Sequence, residues 1–206
     1  MADADATLLF GLGATKAGSS WLYRFLRTHP DCHLRTIKEL HFFDTIDAGR
    51  TGARVAELRR READLRDKDA AGELRAPGKL RDMAAWVEVA EREDEAEYLA
   101  FLNHRRGDRR LVADITPAYA LLSAERLRRM AGLSPNSRFV YFMRDPLSRL
   151  WSHVRMVARR GEQGAEALSD RAHRLLERVL RGKERHISDR GDYAAVLGRL
   201  DAGVAA

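Results

Sequence analysis

Apolar positions along this chain alternate between strand and helix spacing. Thr7–Gly13 (TLLFGLG) is a short continuous apolar run closed by glycine, the pattern of a buried strand. A small-residue turn, ATKAGSS, follows. Trp21–Thr28 (WLYRFLRT) then places Trp21, Leu22, Phe25 and Leu26 at the spacing of one helix face. His29-Pro30 ends that helix, because proline disfavours helical geometry in the residue before it. Cys32–Leu34 predicts a short second strand. Leu111–Ile115 (LVADI) predicts another, stopped by Thr116-Pro117 and followed by a helix near 122–131. Arg138–Met143 (RFVYFM) is a strand rich in aromatic and β-branched types. Pro146 suits the first turn of the next helix, which runs to about Arg159. Helices near 165–181 and 192–200 complete the chain.

Residues 51–110 break this rhythm. They are rich in Arg, Glu, Asp and Ala, with helical stretches near 52–69 and 81–104 separated by Ala76-Pro77-Gly78. Such charge density predicts a solvated helical insertion. The chain therefore reads as a single domain over 1–206 with an insertion at about 51–110. Its expected class is α/β, a P-loop-like three-layer fold with a central, mainly parallel sheet flanked by helices. In such sheets ligands bind at the carboxyl ends of the strands. The loops after Gly13 and Met143 both fall there and collect Lys16, Ser19, Ser20 and Arg144.

Composition narrows the partners. The 206 residues suffice for one sizeable core. The 37 Lys and Arg against 31 Asp and Glu leave a net charge of +6, a mild preference for anions and too little to argue for nucleic acid. The single cysteine, Cys32, rules out an internal disulfide and a Cys-rich zinc site. No apolar run approaches the roughly 20 residues of a spanning helix, and the start, MADADATLLFGLG, has no signal-peptide pattern. A cytoplasmic protein without a transmembrane segment is expected. Lys occurs only at 16, 38, 68, 79 and 183, so Lys16 and Lys38, both near the glycine turn, draw attention.

Gly13-Ala-Thr-Lys-Ala-Gly18-Ser19-Ser20 has the parts of an anion cradle. Glycines allow close backbone approach, a helix N-terminus offers unpaired N–H groups, and hydroxyls add donors. It is not a Walker A motif, which needs Lys directly after the second glycine; here Lys16 precedes Gly18.

GLGATKAGSSWLYRFLRTHPD resembles the 5′-phosphosulfate loop of sulfotransferases that use 3′-phosphoadenosine 5′-phosphosulfate (PAPS). RFVYFMRDPLSRLWSH is similar to their 3′-phosphate segment, and IKELHFFD and DITPAYALL resemble two further landmarks of the branch that includes heparan-sulfate sulfotransferases and bacterial relatives. The four segments stand in the family's order. The resemblance implies PAPS as donor, 3′-phosphoadenosine 5′-phosphate (PAP) as product, and no metal. It implies that Lys16 meets the bridging oxygen, that Ala17, Gly18, Ser19 and Ser20 bind the 5′-phosphate, and that Trp21 lies against the adenine or else in the core. Arg144 and Ser152, eight residues apart, match the pair that holds the 3′-phosphate; an ion pair of Arg144 with Asp145 is the plainer alternative. Glu39 matches the general base, with His41 the fallback base or a structural histidine, and Asp44 on the same acceptor side. Phe42 and Phe43 read as core.

Two departures bear on the acceptor. Ile115 stands where heparan-sulfate enzymes commonly carry a Lys, which weakens a polysaccharide assignment. Relatives also continue past the region resembling RGDYAAVLGRL through another strand and a basic loop, so the donor lid and part of the acceptor pocket are expected to be missing here. The acceptor classes left open are small molecules, glycans and lipids. The rival functions are a non-catalytic nucleotide-binding remnant and a P-loop kinase or NTPase.

Overall fold

The computed structural model describes residues 6–160 and 167–204. It contains a four-stranded, all-parallel sheet in the order β2-β3-β1-β4. The strands are β1 (Thr7–Gly13), β2 (Cys32–His33), β3 (Leu111–Ile115) and β4 (Ser137–Tyr141). Central β1 pairs Leu8 with Val112 on one side and with Ser137 on the other. Its continuous apolar run fits that place, because a parallel strand with neighbours on both sides is covered on both faces.

Side chains of a strand alternate between faces, and β1 divides the core accordingly. Leu8, Phe10 and Leu12 enter the larger cluster, whereas Leu9 faces α1 (Ser19–Thr28) with Leu22, Tyr23 and Leu26. Gly11 permits the approach of β3, since a Cβ there would lie 2.7 Å from Ile115 Cδ1. The helix-face reading of α1 is corrected in one respect. Leu22 and Leu26 are buried, but Trp21 and Phe25 are 59% and 50% exposed and stack on each other at 5.4 Å.

The short α2 (Phe43–Asp47) leads into α3 (Thr51–Ala70), α4 (Pro77–Arg92) and α5 (Glu95–Asn103). These three helices are more than a solvated insertion. Val55, Leu58, Met83, Trp86, Tyr98, Phe101 and Leu102 all enter the larger core beside Phe42 and Phe43. The predicted helix over 81–104 is two helices. Glu93 takes a left-handed φ of 54°, and the Asp94 side chain accepts from the Glu97 N–H at 2.8 Å, capping α5. The Asp94-x-x-Glu97 spacing is a capping-box pattern set inside an otherwise helical run.

Pro117–Leu121 forms a 3₁₀ turn after β3, and α6 (Ala124–Ala131) precedes β4. The last elements are α7 (Pro146–Arg160), α8 (Leu168–Leu180), α9 (Arg185–Ser188), a 3₁₀ turn at Asp189–Gly191 and α10 (Tyr193–Val204). The first two positions of the helix expected over 165–181 lie outside the described residues. A third apolar cluster, including Val154, Ala172, Val179 and Ile187, joins α7, α8 and α9. No helix among the described residues is long and apolar enough to cross a membrane.

Candidate functional site

The carboxyl ends of β1 and β4 open into a cleft of about 690 Å³. Lys16, Gly18, Ser19, Ser20 and Trp21 line it from the first loop and α1, Glu39 and His41 from the loop after β2, and Arg144 and Ser152 from the β4–α7 side. Nine of the eleven candidate site residues named from the sequence therefore meet around one space, and Asp44 lines the neighbouring cleft. Ala17 does not line that space, and its N–H is taken by the Ala14 carbonyl at 3.0 Å.

The first wall is the start of a helix. Gly18 precedes α1 with φ 119°, a conformation open to glycine, and no side chain caps the helix. The first N–H groups and the positive end of the helix dipole thus face the cleft wall that Ser19 and Ser20 form. Lys16, held at φ 71°, adds a cation beside them. The exposed Trp21 ring is part of the wall, so it is not a core tryptophan.

The opposite wall is tied to the first by the sheet. Phe142 N–H donates to the Gly13 carbonyl at 2.7 Å, and Ala14 N–H to the Phe142 carbonyl at 2.8 Å. Asp145 caps α7 by accepting from the Ser148 N–H at 2.7 Å, and no ion pair joins it to Arg144. Arg144 is instead exposed toward the cleft.

Glu39 and His41 form the third wall. Both hold left-handed backbone, φ 64° and 58°, a cost of roughly 1–3 kcal/mol each that the surroundings must offset. Buried Leu40, Phe42 and Phe43 anchor the segment in the core. From α3, Arg54 Nη2 donates to the Glu39 carbonyl at 3.4 Å. The Lys38 ammonium contacts the Glu39 carboxylate. His41 places Nδ1 2.8 Å from Asp44 Oδ2 and Nε2 3.8 Å from Glu39 Oε2. Burial by itself would raise the Glu39 carboxyl, but hydrogen bonds from His41 and Lys38 outweigh it and hold the group at about 2. Burial would likewise lower His41, yet the Asp44 and Glu39 carboxylates lift it to about 9. At neutral pH this wall carries an ionised carboxylate beside an imidazolium.

Several site residues carried no signal in the local sequence. Arg149 is 2% exposed, and its contacts are the Thr15 carbonyl at 3.5 Å and His153 Nδ1 at 3.4 Å, with no carboxylate within ion-pair reach among the described residues. His153 is 3% exposed, and burial, followed by the nearby Arg149, Arg190, His186 and Lys16, drives it down to about 4. It is neutral at pH 7, with Nδ1 as acceptor and Nε2 carrying the proton. Arg190, half-buried in the Asp189–Gly191 turn, faces Asp44 and Glu39. Arg190 and Ala118 also border a second cleft of about 640 Å³, which Asp47, Arg50, Leu121 and Arg126 help to line. Only packing between distant segments reveals these positions. Among the described residues no group of His, Cys, Asp or Glu is arranged to hold a metal ion.

A family model described as "Sulfotransferase family" matches residues 9–193. No curated protein and no solved structure matches the chain significantly.

Proposed function

Because the chain belongs to the sulfotransferase family, we propose that it moves a sulfuryl group from PAPS to a hydroxyl or amine. The observation that carries this reading is the single cleft in which an uncapped helix start with Lys16, the Arg144–Ser152 pair and the Glu39–His41 pair face one another. The residues suit that donor. The start of α1 and Lys16 fit a phosphosulfate, the exposed Trp21 fits a planar base, and Arg144 with Ser152 fits a second phosphate.

In this reading the acceptor oxygen or nitrogen bonds to sulfur while the bond from sulfur to the bridging oxygen breaks. The electron pair leaves with the 5′-phosphate of PAP, and the acceptor proton passes to Glu39. Lys16 meets charge that grows on the bridging oxygen, so it favours the transition state over the ground state. Glu39, rather than His41, is the candidate with a free site for the proton. It is ionised at neutral pH, whereas His41 already holds its proton. His41 then serves to orient Glu39. The second cleft, which shares Ala118 and Arg190 with the first, is the site assigned to the acceptor in this reading. Small molecules, glycans and lipids are the acceptor classes to screen.

Calorimetric titration tests the donor assignment. Arg144→Ala should weaken PAP at least tenfold and AMP less than threefold. Equal losses would sink the 3′-phosphate role, and magnesium-dependent ATP turnover would favour a kinase or NTPase.

A further inference from the structure

Asp114 is a buried carboxylate at the carboxyl end of β3. Its Oδ1 accepts from Thr116 Oγ1 at 2.6 Å, and its Oδ2 accepts from Tyr98 at 3.0 Å and Tyr119 at 2.7 Å. Both tyrosines are fully buried. The two hydroxyls nonetheless differ in what they touch next. Tyr119 Oη also accepts the Phe42 N–H at 3.0 Å, whereas Tyr98 contacts Phe42 through its ring, stacked at 4.7 Å. With the Tyr119 proton committed to Asp114, the lone pairs of that oxygen are turned toward Phe42.

Phe42 directly follows His41, and its carbonyl accepts the Ile46 N–H of the adjoining α2 at 3.2 Å. Among the described residues, two further hydrogen bonds, both from segments distant in sequence, hold the backbone between Ile37 and Phe42. One is the Arg54 contact to the Glu39 carbonyl, long at 3.4 Å; the other is the Tyr119 contact to the Phe42 N–H. The left-handed conformations of Glu39 and His41 need such anchoring, because an untethered segment would relax toward ordinary backbone. We infer that Tyr119 is a positioning residue: its hydroxyl, aimed by Asp114, fixes Phe42 and thereby holds Glu39 and His41 in register with each other. Asp114 and Tyr119 line neither cleft and act through the segment they pin. The inference rests on the proposed role of Glu39 and His41 for its catalytic meaning, but its structural content can be measured without turnover.

The His41 titration supplies that measurement. The charged groups facing His41 are Glu39 and Asp44 from its own segment, Arg54 and Glu57 from α3, and Asp114 from β3. A small displacement of His41 from its two nearest carboxylates changes its proton affinity strongly. The imidazole carbon-bound protons should be followed by NMR in the wild type, Tyr119→Phe and Tyr98→Phe. Each substitution keeps its ring and removes one hydroxyl bond to Asp114, but only Tyr119→Phe frees the Phe42 N–H. The Tyr98→Phe protein should titrate His41 near the wild-type value of about 9, and Tyr119→Phe should lower its proton affinity at least tenfold, toward 6.5. Sulfuryl transfer by Tyr119→Phe should fall about tenfold in kcat, with PAP affinity within twofold. Equal His41 titrations in all three proteins, or equal displacement in both variants, would overturn the inference. Should Tyr119→Phe not fold, amide hydrogen exchange of the wild type decides: Phe42 must be protected well beyond Leu40 and His41, and lack of protection overturns it. Near-normal transfer by Glu39→Gln would instead sink the base assignment while leaving this tether intact.

Discussion

The Tyr193 hydroxyl holds Arg144 by both of its backbone polar groups, accepting its N–H at 3.3 Å and donating to its carbonyl at 2.9 Å. Tyr193 opens α10, forty-nine residues beyond Arg144, and its ring also packs edge-on against Tyr141 at 6.0 Å. The segment after the Asp189–Gly191 turn thus sets the backbone from which Arg144 reaches the cleft. Tyr193→Phe keeps the ring contact and removes both hydrogen bonds. It should raise the dissociation constant of PAP about 3–10-fold and change AMP less than twofold, read by calorimetry. An unchanged PAP affinity would show that Arg144 is positioned without this clasp.

Glu39 and His41 predict a pH window for stability. The Glu39 carboxyl is lowered in the folded chain, so its contribution is complete above its ordinary 4.5 and is lost as pH falls through about 2. His41 is raised, so its contribution is complete below its ordinary 6.5 and is lost as pH rises through about 9. The pair stabilises the fold most between those ordinary values. Glu39 is 40% solvent-exposed at its side chain, so solvent screening reduces the yield to roughly 1–2 kcal/mol. His41→Gln should lower Tm by about 2–8 °C near pH 5.5 and hardly at all above about pH 9.5, by differential scanning calorimetry. A difference independent of pH would mean that the ion pair is not its source.

The helices of the charged segment make a separate prediction. Trp86 of α4 is fully buried, with Phe42 at 6.0 Å and Phe101 at 5.0 Å between ring centroids. Trp86→Ala should cost about 3–5 kcal/mol in urea unfolding. A cost under about 0.5 kcal/mol would return these helices to the status of a solvated appendage.

Legibility differed by the range over which each signal acts. The bounds of β1, β3 and α7 were readable because an apolar run or a proline sets them locally. Lys16, Ser19 and Arg144 could be placed at one sheet edge because glycine and proline mark the strand ends before them, whereas Ser152 came only from the family resemblance; all four line the cleft. Val55 and Leu58 are sparse among Arg and Glu, so their burial beneath α4 left little trace in periodicity. Trp21 and Phe25 satisfied a helix-face pattern, but the buried stripe stops at Leu22 and Leu26, leaving the two rings to the cleft side and solvent. Arg149, His153 and Arg190 gain meaning only when α7 and the Asp189–Gly191 turn close on the Thr15 loop. Tyr119 depended on a contact spanning 77 residues.

The sheet order has a kinetic consequence. The helix start that follows β1 grows from a strand hydrogen-bonded on both sides, while Arg144 and Ser152 follow β4, one of the two edge strands among the described residues, with no fully buried position. Local opening is easiest where a strand is held along one side only. The two jaws of the cleft should therefore differ in stiffness, with amide hydrogen exchange expected to be slower along β1 than along β4. Ligand exchange should begin at the β4 side, with the ligand's other end the last to let go.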